Sequence, residues 1–214
     1  MKQSIPMLTL AALMLNCGCQ SAYYATMEKV GYHKRDILVN RVEDARDAQE
    51  DTAEQFQTAL ERFTSVVQFE GGALEDKYNT LQGELNRSES HAEEVHGRVA
   101  AVEDVAEALF DEWASELDEY TNASLRTQSK RQLDETRRRY EQLIRAMRRA
   151  KDKIEPVLST FRDQVLFLKH NLNAQAIASL ENELAAIETD VADLIREMER
   201  AISEADAFIR EMKA

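Results

Sequence analysis

The sequence predicts an all-α fold, an elongated antiparallel four-helix bundle of the coiled-coil type, and three observations predict it. Apolar or small residues recur at alternating steps of three and four through four successive segments, the spacing that keeps one side of a helix facing a partner. Helix breakers are scarce, with 6 Gly and 2 Pro in 214 residues. Charged residues make up 31% of the chain, and with abundant Ala, Glu, Leu and Arg this is the composition of long helices.

The first helix is expected over 24–69. Its seam runs Leu38, Val42, Ala45, Gln49, Thr52, Phe56, Ala59, Phe63 and Val66, a narrow coiled-coil seam and not a broad globular stripe. Glu70-Gly71-Gly72 ends it, because paired glycines are costly inside a helix and favoured past its end. The second helix, 73–120, has its seam at Leu74, Tyr78, Leu81, Leu85, Ser88, Ala92, Val95, Val99, Val102, Ala106, Leu109 and Trp113. Thr121-Asn122-Ala123-Ser124 closes it and supplies N-cap oxygens for the next.

The third helix, 124–169, carries Leu133, Thr136, Tyr140, Leu143, Met147, Ala150, Ile154, Val157, Phe161, Gln164 and Leu168. Pro156 removes one backbone donor inside it, so a local kink near Asp152 is expected. The seam phase then jumps across His170-Asn171-Leu172-Asn173, which reads as a turn. The fourth helix, 174–213, resumes at Ile177 and continues through Leu180, Leu184, Ile187, Val191, Leu194, Met198, Ala201, Ala205, Phe208 and Met212. Such segments make rods of roughly 60–70 Å at about 1.5 Å per residue, and short connections favour antiparallel neighbours.

Ahead of the helices, Lys2 and the run Ile5 to Leu15 read as an export signal. The run is shorter than the ~20 residues that span a bilayer. Gly18 before Cys19 marks a lipoprotein cleavage site, although Asn16 stands where Leu is usual; an uncleaved anchor or an ordinary secreted chain are the plainer readings. The expected organisation is therefore a signal peptide over 1–18, a short linker over 19–23 with the lipid on Cys19, and a helical bundle domain over 24–214. Gln20 after the cysteine favours the outer membrane, with the chain facing the periplasm. After cleavage Cys19 is the only cysteine, so no intramolecular disulfide forms. Net charge is −13 at pH 7, and losing Lys2 takes it further negative, which disfavours nucleic acid as a partner.

Three runs resemble the bacterial family known as domain of unknown function 2959: Ser21 to Gly31 (SAYYATMEKVG), Val102 to Trp113 (VEDVAEALFDEW) and Val165 to Leu180 (VLFLKHNLNAQAIASL). The resemblance covers nearly the whole mature chain. It implies a helical envelope protein and brings no activity and no catalytic residue with it. No G-x-x-x-x-G-K-[ST] phosphate loop is present, so a nucleotide-hydrolysing label does not apply.

Individual residues point away from catalysis. Glu93-Glu94-Val95-His96 contains one Glu-x-x-His, but a di-iron bundle needs two such pairs and two further inward glutamates. His91 and His96 are five apart, so they do not form the i, i+4 zinc pair. No metal, no cofactor and no catalytic residue are expected, and the chain reads as a non-enzyme. Two surfaces stand out instead. From Arg126 to Lys153 there are 11 basic against 4 acidic residues. Arg137, Arg138, Arg139, Arg145, Arg148 and Arg149 are candidate contacts for anionic lipid or lipopolysaccharide; the plainer account is pairing with the acidic second helix, Glu107 opposite Arg138 and Glu112 opposite Arg131 or Leu133. At the end away from the lipid, Phe69, Gly71, Gly72, His170, Asn171 and Asn173 form a candidate tip for docking another envelope protein, unless their polar groups merely cap helices. The expected function is a lipid-anchored periplasmic scaffold or adaptor, with a membrane-surface or lipopolysaccharide-binding protein as the second reading and homo-oligomerisation left open.

Overall fold

A computed structural model describes residues 33–68, 73–171 and 174–213. Four long helices account for nearly all of them: α1 (Lys34–Gln68), α2 (Leu74–Glu116), α3 (Ala123–His170) and α4 (Ala174–Lys213). A 3-10 turn, Leu117–Glu119, follows α2. The second helix thus stops earlier than the expected residue 120. Leu117 is buried, and tightening the last turn carries it inward before Tyr120 goes extended. Asn122 then caps α3, its side chain accepting from the N–H groups of Ser124 and Leu125 at 2.9 and 3.2 Å. The third helix continues through Pro156 from end to end as one element of 48 residues, about 72 Å long.

Each helix packs on two others: α1 on α2 and α4, and α3 on α2 and α4. Cross-helix pairs fix the directions. Lys34 meets Glu112 at 2.7 Å while Lys77 reaches the carbonyl of Val66 at 3.0 Å, so α1 and α2 run antiparallel. Arg46 meets Asp206 and Lys213 meets Glu43, which sets α4 antiparallel to α1. Arg148–Glu103 and Arg162–Glu89 do the same for α3 against α2. The result is an up-down-up-down ring, with the start of α1 and the end of α4 at one end.

The interior is broader than a two-position seam, which corrects the expectation of a narrow one. Besides most of the seam residues, Ile37, Ala48, Val105, Phe110, Ile144, Leu158, Val165 and Ile209 are buried. A helix in a closed ring of four faces two neighbours, so a third position per heptad is covered. Across the diagonal, the Phe161 ring stacks between Phe56 and Phe63, each at 6.2 Å between centroids.

Candidate interaction surfaces

Polar residues gather in one part of the core, between α1 and α2. Gln49, Thr52, Gln55, Glu84 and Ser88 are all buried. Thr52 donates to the carbonyl of Ala48 at 2.6 Å, the bond a hydroxyl makes one turn back in a helix. Gln55 donates to Glu84 at 3.1 Å and to Ser88 at 3.4 Å. Burial pushes the Glu84 carboxyl up, but hydrogen bonds from Arg87 and Gln55, with the charges of Arg87 and Arg62, outweigh it and hold the group below the usual carboxylate range. Gln49 differs, for neither its amide nitrogen nor its oxygen has a hydrogen-bond partner among the described residues. Lys77 and Glu84 both lie off the seam, and burial there was not legible from spacing alone. The Lys77 stem crosses the end of α1, whose last turn has no basic residue of its own, and its ammonium satisfies a carbonyl there.

The basic stretch of α3 is divided between its two neighbours and carboxylates of its own helix. Arg148 pairs with Glu103 of α2 at 2.6 Å. Arg149 pairs with Glu197 of α4 at 3.4 Å, and Arg139 pairs with Glu211 of α4 and Glu135 of its own helix. Arg137 lies over the Phe110 ring at 5.2 Å and donates to the Phe110 carbonyl, a cation–π contact. Among the described residues Arg145 has only Glu141, one turn back, at 3.7 Å. Arg131, Arg138, Lys151 and Lys153 form no ion pair among the described residues. The expected partners of Glu107 and Glu112 are therefore wrong in register. Glu112 goes to Lys34 of α1, and away from the turn Glu103 and Glu89 face Arg148 and Arg162, several residues farther along α3 than a simple fold back at 122–123 would bring. Within the same contact, Tyr140 meets Phe110 edge-on at 5.4 Å. Burial first, and the charge of Glu103 second, push its phenol up to about 12.

Of the candidate tip, Phe69, Gly71, Gly72 and Asn173 lie outside the described residues, as do the signal peptide, the linker and Cys19. His170 is exposed at the end of α3, and Asn171 caps it, its side-chain amide donating to the Phe167 carbonyl at 2.9 Å. Two side chains absent from the expected tip sit beside them. Leu166 is 52% exposed and Phe167 41%. Both fall between the seam positions Gln164 and Leu168, and that off-seam placement was the available signal. At the opposite end of α3, Tyr120 and Leu125 are 41% and 51% exposed.

A groove of about 730 Å³ runs along the outside of the bundle between α1 and α4. Ala53, Ile195 and Ile202 line it together with Glu50, Glu54 and Glu199, and these three glutamates form no ion pair among the described residues. Sequence periodicity did not single it out, because a surface acid on a long helix ordinarily marks only a solvated face.

His96 and Glu93 are both exposed, on the outside of α2. No group of three or more His, Cys, Asp or Glu among the described residues is arranged to hold a metal ion. No helix among them is long and apolar enough to cross a membrane. A family model described as protein of unknown function, DUF2959, matches residues 23–212. No curated protein matches the sequence.

Proposed function

Given that the chain belongs to the DUF2959 family, whose description names no activity, we propose from its shape and surface chemistry that it is a non-catalytic scaffold of the bacterial envelope. In this reading a lipid on Cys19 holds it at the outer membrane, with the bundle standing in the periplasm and another envelope protein as partner. The observation that carries it is the filled interior. Large side chains such as Phe56, Leu143, Met147 and Leu194 are fully buried along the rod, which makes a stiff spacer and leaves substrate chemistry to others. Leu166 and Phe167, exposed beside His170, suit the far end to docking.

Cys19→Ala tests the anchor. Loss of acyl labelling and release from the membrane fraction are expected, and an acylated, membrane-bound variant overturns the reading. Photocrosslinking probes at Leu166 and Phe167 are expected to capture an envelope protein that probes on the exposed face of α2, at His96, do not.

A second reading, contact of α3 with anionic headgroups, draws on Arg131, Arg138, Lys151 and Lys153, which form no ion pair among the described residues. It predicts that the chain carrying Cys19→Ser co-sediments with vesicles containing phosphatidylglycerol and is released at high salt. No co-sedimentation removes that reading and leaves the scaffold standing.

A further inference from the structure

The groove between α1 and α4 has the opposite chemistry to the outward face of α3. Its apolar residues, Ala53, Ile195 and Ile202, are half-covered, and Glu50, Glu54 and Glu199 are exposed and unpaired among the described residues. Asp206, also in the lining, is held by Arg46 at 3.2 Å. On α3, Arg138, Arg145, Arg149 and Lys153 are all exposed. Their ion pairs are loose or absent: 3.7 Å for Arg145, 3.4 Å for Arg149, and none for the other two among the described residues. Since α3 packs on α2 and α4 while α1 packs on the same two helices, α3 and α1 stand at opposite corners of the ring.

The two surfaces also lie at the same height. Arg46 marks the level of Asp206, and Arg149 marks the level of Glu197, farther back along α4. Because α4 is antiparallel to α1, that puts Arg149 level with about residue 55 of α1, next to Glu54. Arg145 and Arg149 are four apart, as are Glu50 and Glu54, and both pairs ascend in the same direction.

We propose that the outward basic face of α3 in one copy seats in the α1–α4 groove of a second copy, the rods side by side, parallel and level. Arg145 and Arg149 meet Glu50 and Glu54 of the neighbour. The aliphatic stems of these arginines and of Lys153 lie on Ala53, Ile195 and Ile202, as long cationic side chains do on apolar surface. Charge complementarity selects the register, and the like charges of groove against groove or face against face exclude the two-fold alternatives. A groove and a face on different sides of the ring make a heterologous contact, so each copy in a pair keeps one free groove or one free face, and further copies add in the same sense. The contact involves only the bundle, so it stands whether or not Cys19 is acylated.

The test uses the full chain with Cys17→Ser and Cys19→Ser, so that introduced thiols are the only ones. One population carries Glu54→Cys and another Arg149→Cys, and the mixture is oxidised. Disulfide-linked pairs are expected between the two populations and not within either; equal linkage within the Glu54→Cys population overturns the proposal. Sedimentation velocity on the same chain without added thiols is expected to show concentration-dependent association at about 0.1 M salt. That association weakens by ~10-fold or more at about 1 M, where the screening length falls from about 10 Å to about 3 Å. Charge reversal supplies the decisive arm. Glu50→Lys with Glu54→Lys, and separately Arg145→Glu with Arg149→Glu, are each expected to abolish association, while mixing the two variants restores it with the variants in alternating order. Circular dichroism is expected to show both variants folded, since the four positions are exposed. A chain that remains monomeric at low salt, or variants that fail to pair on mixing, overturn the proposal.

Discussion

Gln49 and Glu84 lie in the same polar part of the core and are expected to answer mutation in opposite ways. The Gln49 amide is buried with neither polar atom bonded among the described residues, a loss of hydration that they do not recover. Gln49→Met, close in shape, is therefore expected to raise stability by about 1–3 kcal/mol, read as a higher urea midpoint at unchanged slope. A lower midpoint means that the amide has a partner in solution. Glu84 is bonded by Gln55 and Arg87, and its folded-state pKa is below the ordinary value. Its contribution is thus complete above the ordinary carboxylate pKa and is lost as pH falls through the lowered one. Glu84→Gln is expected to cost about 1–3 kcal/mol at pH 7 and much less at pH 3. A penalty equal at both pH values contradicts the ion-pair account. Polarity at Gln49, Thr52 and Ser88 was legible as a departure from an apolar seam. The burial of Glu84 and Gln55 was not, because a polar or charged residue one position off the seam is ordinarily solvated until a second neighbouring helix covers it.

Among the elements, α3 makes the most varied contacts. Phe161 reaches across the bundle to α1, between Phe56 and Phe63, so Phe161→Ala is expected to lower stability by about 3–5 kcal/mol. Phe167→Ala, six residues on and exposed, is expected to change it little. Denaturant titration of both variants measures the contrast. On the α2 side, the Tyr140 phenol is held neutral to about pH 12. Its raised pKa stabilises the fold at pH values below 10, and that contribution fades as pH rises through about 12. Alkaline absorbance titration is expected to show one tyrosine ionising after the others, and Tyr140→Phe to remove the late step. The number, order and near-ends of these helices could be read from heptad spacing, glycines and cap residues. Register could not. The turn after α2 includes a 3-10 segment whose length sets which α2 and α3 residues face each other, and no spacing rule encodes that segment. The same gap hid the partition of the arginines, since charge counts reveal a basic helix but not which side chains point at Glu103, Glu197 or solvent.

At the level of the whole molecule, charge is unevenly spread. α3 is strongly basic in a chain of net charge −13, and α1, α2 and α4 each carry an excess of acid. Internal pairing consumes part of that contrast, and the remainder faces outward at Arg138 and Arg145 on one corner and Glu50 and Glu54 on the opposite one. The arrangement of the ring has a mechanical consequence as well. The start of α1 sits beside the end of α2 and the end of α4, tied there by Lys34–Glu112 and by Arg35 donating to the Met212 carbonyl. A pull entering at residue 33 and resisted near Leu166 and Phe167 would load the long α1 contacts lengthwise and all together. Sliding one helix past its neighbours strains every layer at once, whereas peeling breaks them singly, so a molecule held by these two points should yield abruptly and at high force.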